Sequence, residues 1–423
     1  MTYHAQTPST LAAAWEKDHI SRHFPSDIRH SDVKKYIEEI AAMGIRTEQV
    51  GRSFGGREIY QMEWGSGPLK VFMWSQMHGD ETTATPALID MFAYLQKHRE
   101  IDWVREIGEK MTIRAVPMLN PDGAELFQRR NLQGIDINRD AQNLATPEAR
   151  LLKRLRDEWS PAIGFNLHNQ NDLTLAGRGT KQATISFLVV FGDAQKTRTP
   201  GHLRNEKVVA SMITALREFI PGNIGRYADE WTPSAFGDNF GAWGTPAILI
   251  ETGGLFGKDE KFLVKLNFVA FLTALHTIAA GRENNYDPEL YRTLPENAFG
   301  NVAHLVFRGG TIVNRAATTT IAQGDIPIIY ERRRASFVPT GRIAAISFPS
   351  PIRGFIEYDA RDYFVVHRFG ITRLGEIGEF NFYKKSRSIQ WDSDDFDRKF
   401  PPDAVFAGGK WIKGEGLVPK LTK

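Results

Sequence analysis

Between residues 69 and 97 the apolar run LKVFMW is followed by a polar stretch and then by Leu88, Met91, Phe92 and Leu95 at intervals of three and four. A short unbroken apolar block suits a strand buried on both faces, and a three-to-four-residue repeat suits a helix with one buried stripe. The segment reads as strand, loop and helix. The blocks MTIRAVPML (111–119), AIGFNLH (162–168), ISFLVVFG (185–192) and TPAILIE (245–251) are further strand candidates. TPEARLLKRLRDEW and KFLVKLNFVAFLTALHTIAAG carry helical spacing between or after them. Upstream, HSDVKKYIEEIAAMG has Ser31 as a candidate N-cap, Val33, Tyr36, Ile37 and Ile40 on one face, and Gly44 as a stop. VGRSFGGREIYQMEWG reads as two extended stretches turning at Gly55-Gly56.

Alternating strands and helices predict an α/β fold with a mixed, mostly parallel central sheet flanked by helices. This domain is expected over residues 25–290, after an N-terminal extension at 1–24. From 296 to 423 the texture changes: HLVFRGGTIVN, IPIIYERR and YFVVHRFGITRLG are short, β-branched and aromatic, and separated by Gly, Pro and Asp. A smaller all-β C-terminal accessory domain is expected there.

The 423 residues are 42% apolar and 24% charged, which is enough to bury a substantial core in two or three domains. Fifty-three basic and 50 acidic side chains leave a formal charge of +3, too balanced to imply a nucleic-acid partner. The run Glu331 to Arg334 reads as a solvated face. The absence of cysteine excludes disulfides and thiolate chemistry, so any bound transition metal must be held by His, Asp or Glu. No stretch reads as the roughly 18 apolar residues that cross a membrane, and no membrane span is expected. MTYHAQTPST lacks a signal pattern. The expected compartment is periplasmic or secreted if a signal peptide was trimmed before Met1, and otherwise cytoplasmic.

The candidate chemistry lies at strand ends. His78 and Glu81 form an H-x-x-E after the first block, His168 ends AIGFNLH, and Glu251 ends AILIE. In open α/β sheets ligands bind beyond the carboxyl ends of strands. Two histidines and a glutamate suffice for a catalytic zinc with one position left for water, and Glu251 then serves as general base. Against this stand a loop histidine beside a helix-start glutamate, and a His168 with only a structural role. Between the strand ends, NPDGAELFQRRNLQGIDINRD holds Arg129, Arg130, Asn138 and Arg139, whose forks and amide suit a carboxylate, although a polar turn with surface arginines reads the same way. Asp136 is a candidate for orienting a neighbouring arginine or ligand, or for a local turn bond.

In sequence order, H-x-x-E, N-P-D-G, R-x-N-x-x-G-x-D-x-N-R, a strand-end His and a strand-end Glu resemble the carboxypeptidase A-like zinc metallocarboxypeptidase family, as a bacterial-type member with a β-rich extension. The resemblance implies one zinc per chain held by His78, Glu81 and His168, with Glu251 activating its water. It implies that Asn138 and Arg139 clamp the substrate's terminal carboxylate, that Arg129 polarises the scissile carbonyl, and that Tyr227 in GRYADEW closes over the substrate. The expected partner is a peptide with a free C-terminal carboxylate, and the expected activity is removal of its last residue.

Some features depart from the family's digestive members. The span from Glu81 to His168 is shorter, His168 is followed by Asn-Gln instead of Ser-Tyr, and the residues before the first site strand are too few for an inhibitory pro-domain, so no zymogen activation is expected. Asp238 is a candidate for favouring a basic terminal residue or for orienting its loop. Two alternatives to the carboxypeptidase stay open: a zinc-dependent deacylase or amidohydrolase of N-acyl amino acids, and a catalytically inactive peptide-binding relative.

Overall fold

The computed structural model describes residues 6–315, 319–336, 340–414, 417 and 419–421. The first five residues of the expected N-terminal extension lie outside them. The chain divides into two compact units, Met1–Gly177 with Gln182–Ala298, and Arg178–Lys181 with Phe299–Lys423. Residues 6–24, set apart in the sequence reading, belong to the first unit.

In the first unit the strands are β1 (Arg46–Arg52), β2 (Glu58–Gly65), β3 (Leu69–Ser75), β4 (Met111–Val116), β5 (Ile163–Asn169), β6 (Leu175–Ala176), β7 (Ile185–Val189), β8 (Ile224–Arg226), β9 (Ala247–Thr252) and β10 (Asn297–Ala298). Among the described residues eight of them form one sheet in the order β1-β2-β4-β3-β5-β9-β7-β8. Its centre, β4-β3-β5-β9, is parallel, while β1, β2 and the β9–β7 pair add antiparallel contacts. β6 and β10 pair antiparallel as a separate two-stranded sheet, and Leu175 of β6 also bridges Gln182.

The helices that matter here are α1 (Pro8–Asp18), α2 (His30–Ala42), α3 (Ala84–Lys97), α4 (Asp102–Lys110), α5 (Pro121–Leu126), α6 (Pro147–Trp159), α7 (Pro200–Leu216), α8 (Phe236–Ala242) and α9 (Glu260–Ala279). Strand alternation sorts the core into two layers. Val71 and Met73 of β3, with Ile248 and Ile250 of β9, join side chains of α1, α2, α3, α4, α7 and α9. Phe72 and Trp74, with Ala247 and Leu249, face α6 and α8 on the other side. His168 and Glu251 keep the parity of this second face, at the ends of their strands.

On that second face Gly164 lets aromatic rings lie flat on the sheet, since a Cβ there would meet Trp74 Cζ3 at 3.1 Å. Trp74 and Phe240 pack with ring centroids 4.2 Å apart. Phe240→Ala should therefore lower the unfolding free energy by about 3–5 kcal/mol, read from denaturant unfolding.

Several elements differ from the sequence reading. The second long helix starts at His30 with Arg29 in the cap position, not Ser31, because the Asp32 carboxylate accepts the Arg29 backbone N–H at 3.1 Å. Helix α9 has the length and apolar composition of a membrane span, contrary to expectation, but it is mostly buried within the unit. It is apolar on nearly every side because α1, α3, α4 and α7 cover it. α1, α4 and α7 were not read from the sequence. Thr7-Pro8 and Thr199-Pro200, each a cap followed by proline at the first helical position, are the signals that mark two of them.

Among the described residues the second unit is built on a nine-stranded sheet with one short helical turn at Phe396–Lys399. Its longest strand, Val302–Asn314, changes register at Phe307/Gly310, where Gly309 has φ +66°. On this strand Phe307 packs edge to face with Phe380, Phe406 and Trp411 and tilted against Phe382. The basic run is not wholly solvated, for Arg334 is buried.

Candidate metal centre and active site

The order of the parallel strands reverses around β3, with β4 on one side and β5 on the other, which opens a crevice beyond their carboxyl ends. His78 stands three residues past β3. Its loop is pinned by the start of α5: the Asn120 N–H donates to the Gln76 carbonyl at 3.0 Å, and Asn120 Oδ1 accepts from Gly123 N at 2.9 Å. Gly79 tolerates no side chain, because a Cβ would lie 2.0 Å from the Gly123 carbonyl carbon. A turn with Glu81 N donating to His78 O at 3.1 Å then brings the carboxylate under the imidazole.

His78, Glu81 and His168 are all buried, and their ligand-type atoms lie within 4.8 Å of one another. Glu81 bridges the two rings: Oε1 is 2.7 Å from His78 Nδ1 and Oε2 is 2.7 Å from His168 Nδ1. The Asn169 N–H also donates to Oε2 at 3.0 Å. The far side of His78 is taken by Asp136, whose Oδ1 sits 3.0 Å from Nε2, so Nδ1 is the ring atom turned to the centre of the cluster. Among the described residues, buried His168 Nε2 has no hydrogen-bond partner.

Burial alone lowers the affinity of these rings for a proton, but the Glu81 and Asp136 carboxylates overcome it at His78 and push that group up to about 9. At His168 burial prevails over the pull of Glu81 and the group is held down. Burial works against the charge on Glu81, yet the two imidazoles bring it well below the usual carboxylate range. One neutral ring, one ring under strong negative influence and a carboxylate make a hard and borderline donor set that suits a divalent ion of the zinc type.

Arg129 reaches the same spot. Its Nη1 is 3.1 Å from Glu81 Oε1 and 3.1 Å from His78 Nδ1, and its Nε donates to Asp136 Oδ2 at 3.0 Å. Asp136 also accepts from Asn138 N at 3.0 Å, so it makes both the local turn bond and the longer contacts between which the sequence reading did not choose. Burial opposes its charge, but His78 and Arg129 hold its carboxyl far below the usual range.

Glu251 is 8% exposed and sits directly opposite His168 in the β5–β9 register. Asn138 and Arg139 lie on the short turn Ile137–Arg139. Asn138 Oδ1 accepts from Phe236 N at 2.9 Å, which ties the turn to the start of α8, and the exposed Arg139 donates from Nη1 to the Asn138 backbone carbonyl at 2.9 Å. Tyr227 follows β8, with its N–H donating to Phe187 O at 2.9 Å and its side chain at the surface. The part of its phenol that is covered, with the charges of Glu251 and Glu81 and against those of Arg129 and Arg139, pushes the group up from its ordinary value.

Asp238 accepts from Thr232 N at 2.9 Å, and burial pushes its carboxyl up to about 6. A folded-state pKa above the unfolded one means the folded chain holds the proton more tightly. Stability from this group is then full below pH ~4 and lost as the pH rises through about 6. Asp238→Asn should flatten that part of a Tm-against-pH curve.

Residues 33–185 match the family model described as "Zinc carboxypeptidase". Carboxypeptidase 2 of Trichophyton rubrum is 32% identical over 100 residues, which are 24% of this chain and 18% of that protein. Human carboxypeptidase Z is 28% identical over 127 residues, 25% of this chain and 20% of that one. The chain thus spans about a fifth of the length of these curated relatives. A solved structure from Shewanella denitrificans OS-217, assigned as a carboxypeptidase A, superposes with a TM-score of 0.51 at 15% identity, over 60% of this chain and 69% of that one, and so shares the fold. Residues 33–185 are therefore what this chain shares with the zinc carboxypeptidase family.

Proposed function

We propose that the protein is a zinc-dependent metallocarboxypeptidase that hydrolyses the C-terminal peptide bond of peptides. The observation that carries this reading is the buried His78, Glu81 and His168 cluster with Glu251 beside it on the next strand. In the proposal these three side chains would hold one zinc ion, and Asp136 fixes the His78 ring through its Nε2. Zinc bound there supplies an electrophile for the scissile carbonyl and acidifies water.

Within that reading each residue has one task. Glu251 accepts a proton from the attacking water and passes it to the leaving amine. Arg129, whose guanidinium already lies over the cluster, donates to the carbonyl oxygen as it gains negative charge. Asn138 and Arg139 grip the terminal carboxylate, and Tyr227 covers the bound residue. An anion fork at a set distance from the reacting bond admits the last bond of a free C-terminus and disfavours internal ones. The deacylase reading is not favoured, because the matched relatives are carboxypeptidases.

Incubation with a peptide library, followed by mass spectrometry with and without chelator, tests the proposal and reads out the preferred terminal residue. Loss of single C-terminal residues that stops on chelation supports it; no cleavage by the zinc-loaded chain defeats it. Arg139→Ala should raise KM for free-carboxylate substrates by roughly 10- to 100-fold with a smaller change in kcat, the size expected for one charge-assisted contact. Equal cleavage of amidated and free C-termini would remove the clamp from this account.

A further inference from the structure

The row of side chains that carries the site continues past Glu251. On β9 Glu251 is opposite His168 of β5 on one side and Ser186 of β7 on the other, and Ser186 is opposite Gly225 of β8. Side chains directly opposed across strands share a face, with Cβ atoms about 4.5–5.5 Å apart. Ser186, fully buried, is therefore the neighbour of Glu251 on the side away from the metal cluster.

The Ser186 hydroxyl belongs to a closed ring. Gln170 Nε2 donates to Ser186 Oγ at 3.0 Å, Ser186 Oγ donates to Asn297 Oδ1 at 2.7 Å, and Asn297 Nδ2 donates to Gln170 Oε1 at 2.6 Å. Gln170 Nε2 also donates to the Ala183 carbonyl at 2.7 Å. A carbonyl only accepts, so this bond decides which end of the Gln170 amide faces Ser186 and which faces Asn297. The Asn297 oxygen must then face Ser186, and the single serine proton goes to it. Gly225 leaves room for the arrangement, because a Cβ there would lie 2.4 Å from Asn297 Oδ1 and 2.8 Å from Ser186 Oγ.

We propose that Asn297 is a positioning residue for the general base: by holding the Ser186 proton it keeps that hydroxyl from donating to Glu251, so the carboxylate is directed at the attacking water. The inference rests on the role given to Glu251 above. Asn297 comes from β10, which pairs with β6, and lies 127 residues from Gln170 in the chain.

Asn297→Ala releases the serine proton. The expected result is a fall in kcat of about tenfold, the factor for one hydrogen bond gained by a charged acceptor in the ground state, with KM and zinc stoichiometry unchanged. Adding Ser186→Ala removes the proton itself and should return kcat close to the wild-type value. A crystal structure of the Asn297→Ala chain should show Ser186 Oγ turned to within hydrogen-bond distance of Glu251. If Asn297→Ala does not fold, Asn297→Leu removes the same acceptor while filling its space. A loss that persists in the double variant, or an unchanged kcat with Ser186 unmoved, overturns the proposal. A wild-type chain without carboxypeptidase activity defeats the functional reading instead, and the orientation of Ser186 in the variant crystal still tests the ring.

Discussion

Glu251→Gln is expected to lower kcat on a blocked dipeptide with a free C-terminus by about a thousandfold, while zinc content stays at one per chain. Positioned general bases contribute roughly 10²- to 10⁴-fold, and an amide cannot take the proton. The substitution preserves shape at a site that is 8% exposed and keeps the strand pairing with His168 and Ser186, so folding and metal binding should be spared. Steady-state kinetics alongside metal analysis separate the two effects. A fully zinc-loaded Glu251→Gln chain with wild-type turnover removes Glu251 from the proton transfer.

His168→Ala should act differently, by losing the metal first. It deletes one of three ligand-type side chains and leaves the Glu81 Oε2 that now faces His168 Nδ1 at 2.7 Å without that partner. Since disturbing only the outer partners of a metal site already costs 10- to 100-fold in affinity, loss of a ligand should weaken zinc binding by more than about 100-fold, and activity should fall with it. Zinc retained after dialysis, measured by atomic absorption, is the readout. A dialysed His168→Ala chain that keeps stoichiometric zinc and activity would show that the ion sits elsewhere.

These two residues show how far the chain could be read without coordinates. Both end apolar blocks, and a strand end is visible because the block and the polar residues after it are adjacent in sequence. Asp136 was only half legible: its bond to Asn138 N is local, while its bond to His78 Nε2 joins residues 58 apart. Asn297 was not legible at all, because its partners are set by the pairing of β10 with β6 and by a glycine on β8 that makes space. Ser31 failed as a cap for a local reason, since the Asp32 carboxylate satisfies the Arg29 N–H one turn earlier. Helix α7 was missed although Thr199 and Pro200 announce its start.

By itself the sequence determined the main strands of the first sheet, helices α2, α3, α6 and α9, and the order in which His78, Glu81, His168 and Glu251 follow apolar blocks. Those follow from periodicity and termination, which are properties of neighbouring residues. Only the tertiary structure decided that Glu81 meets His168 across 87 residues, that Arg129 lies over the same point, and that of two similar imidazoles one is driven toward its cationic form and the other away from it. The first two depend on strand order and register, which bring distant ends side by side. The last depends on how burial and the carboxylates balance at each ring, and that balance exists only once the crevice has formed.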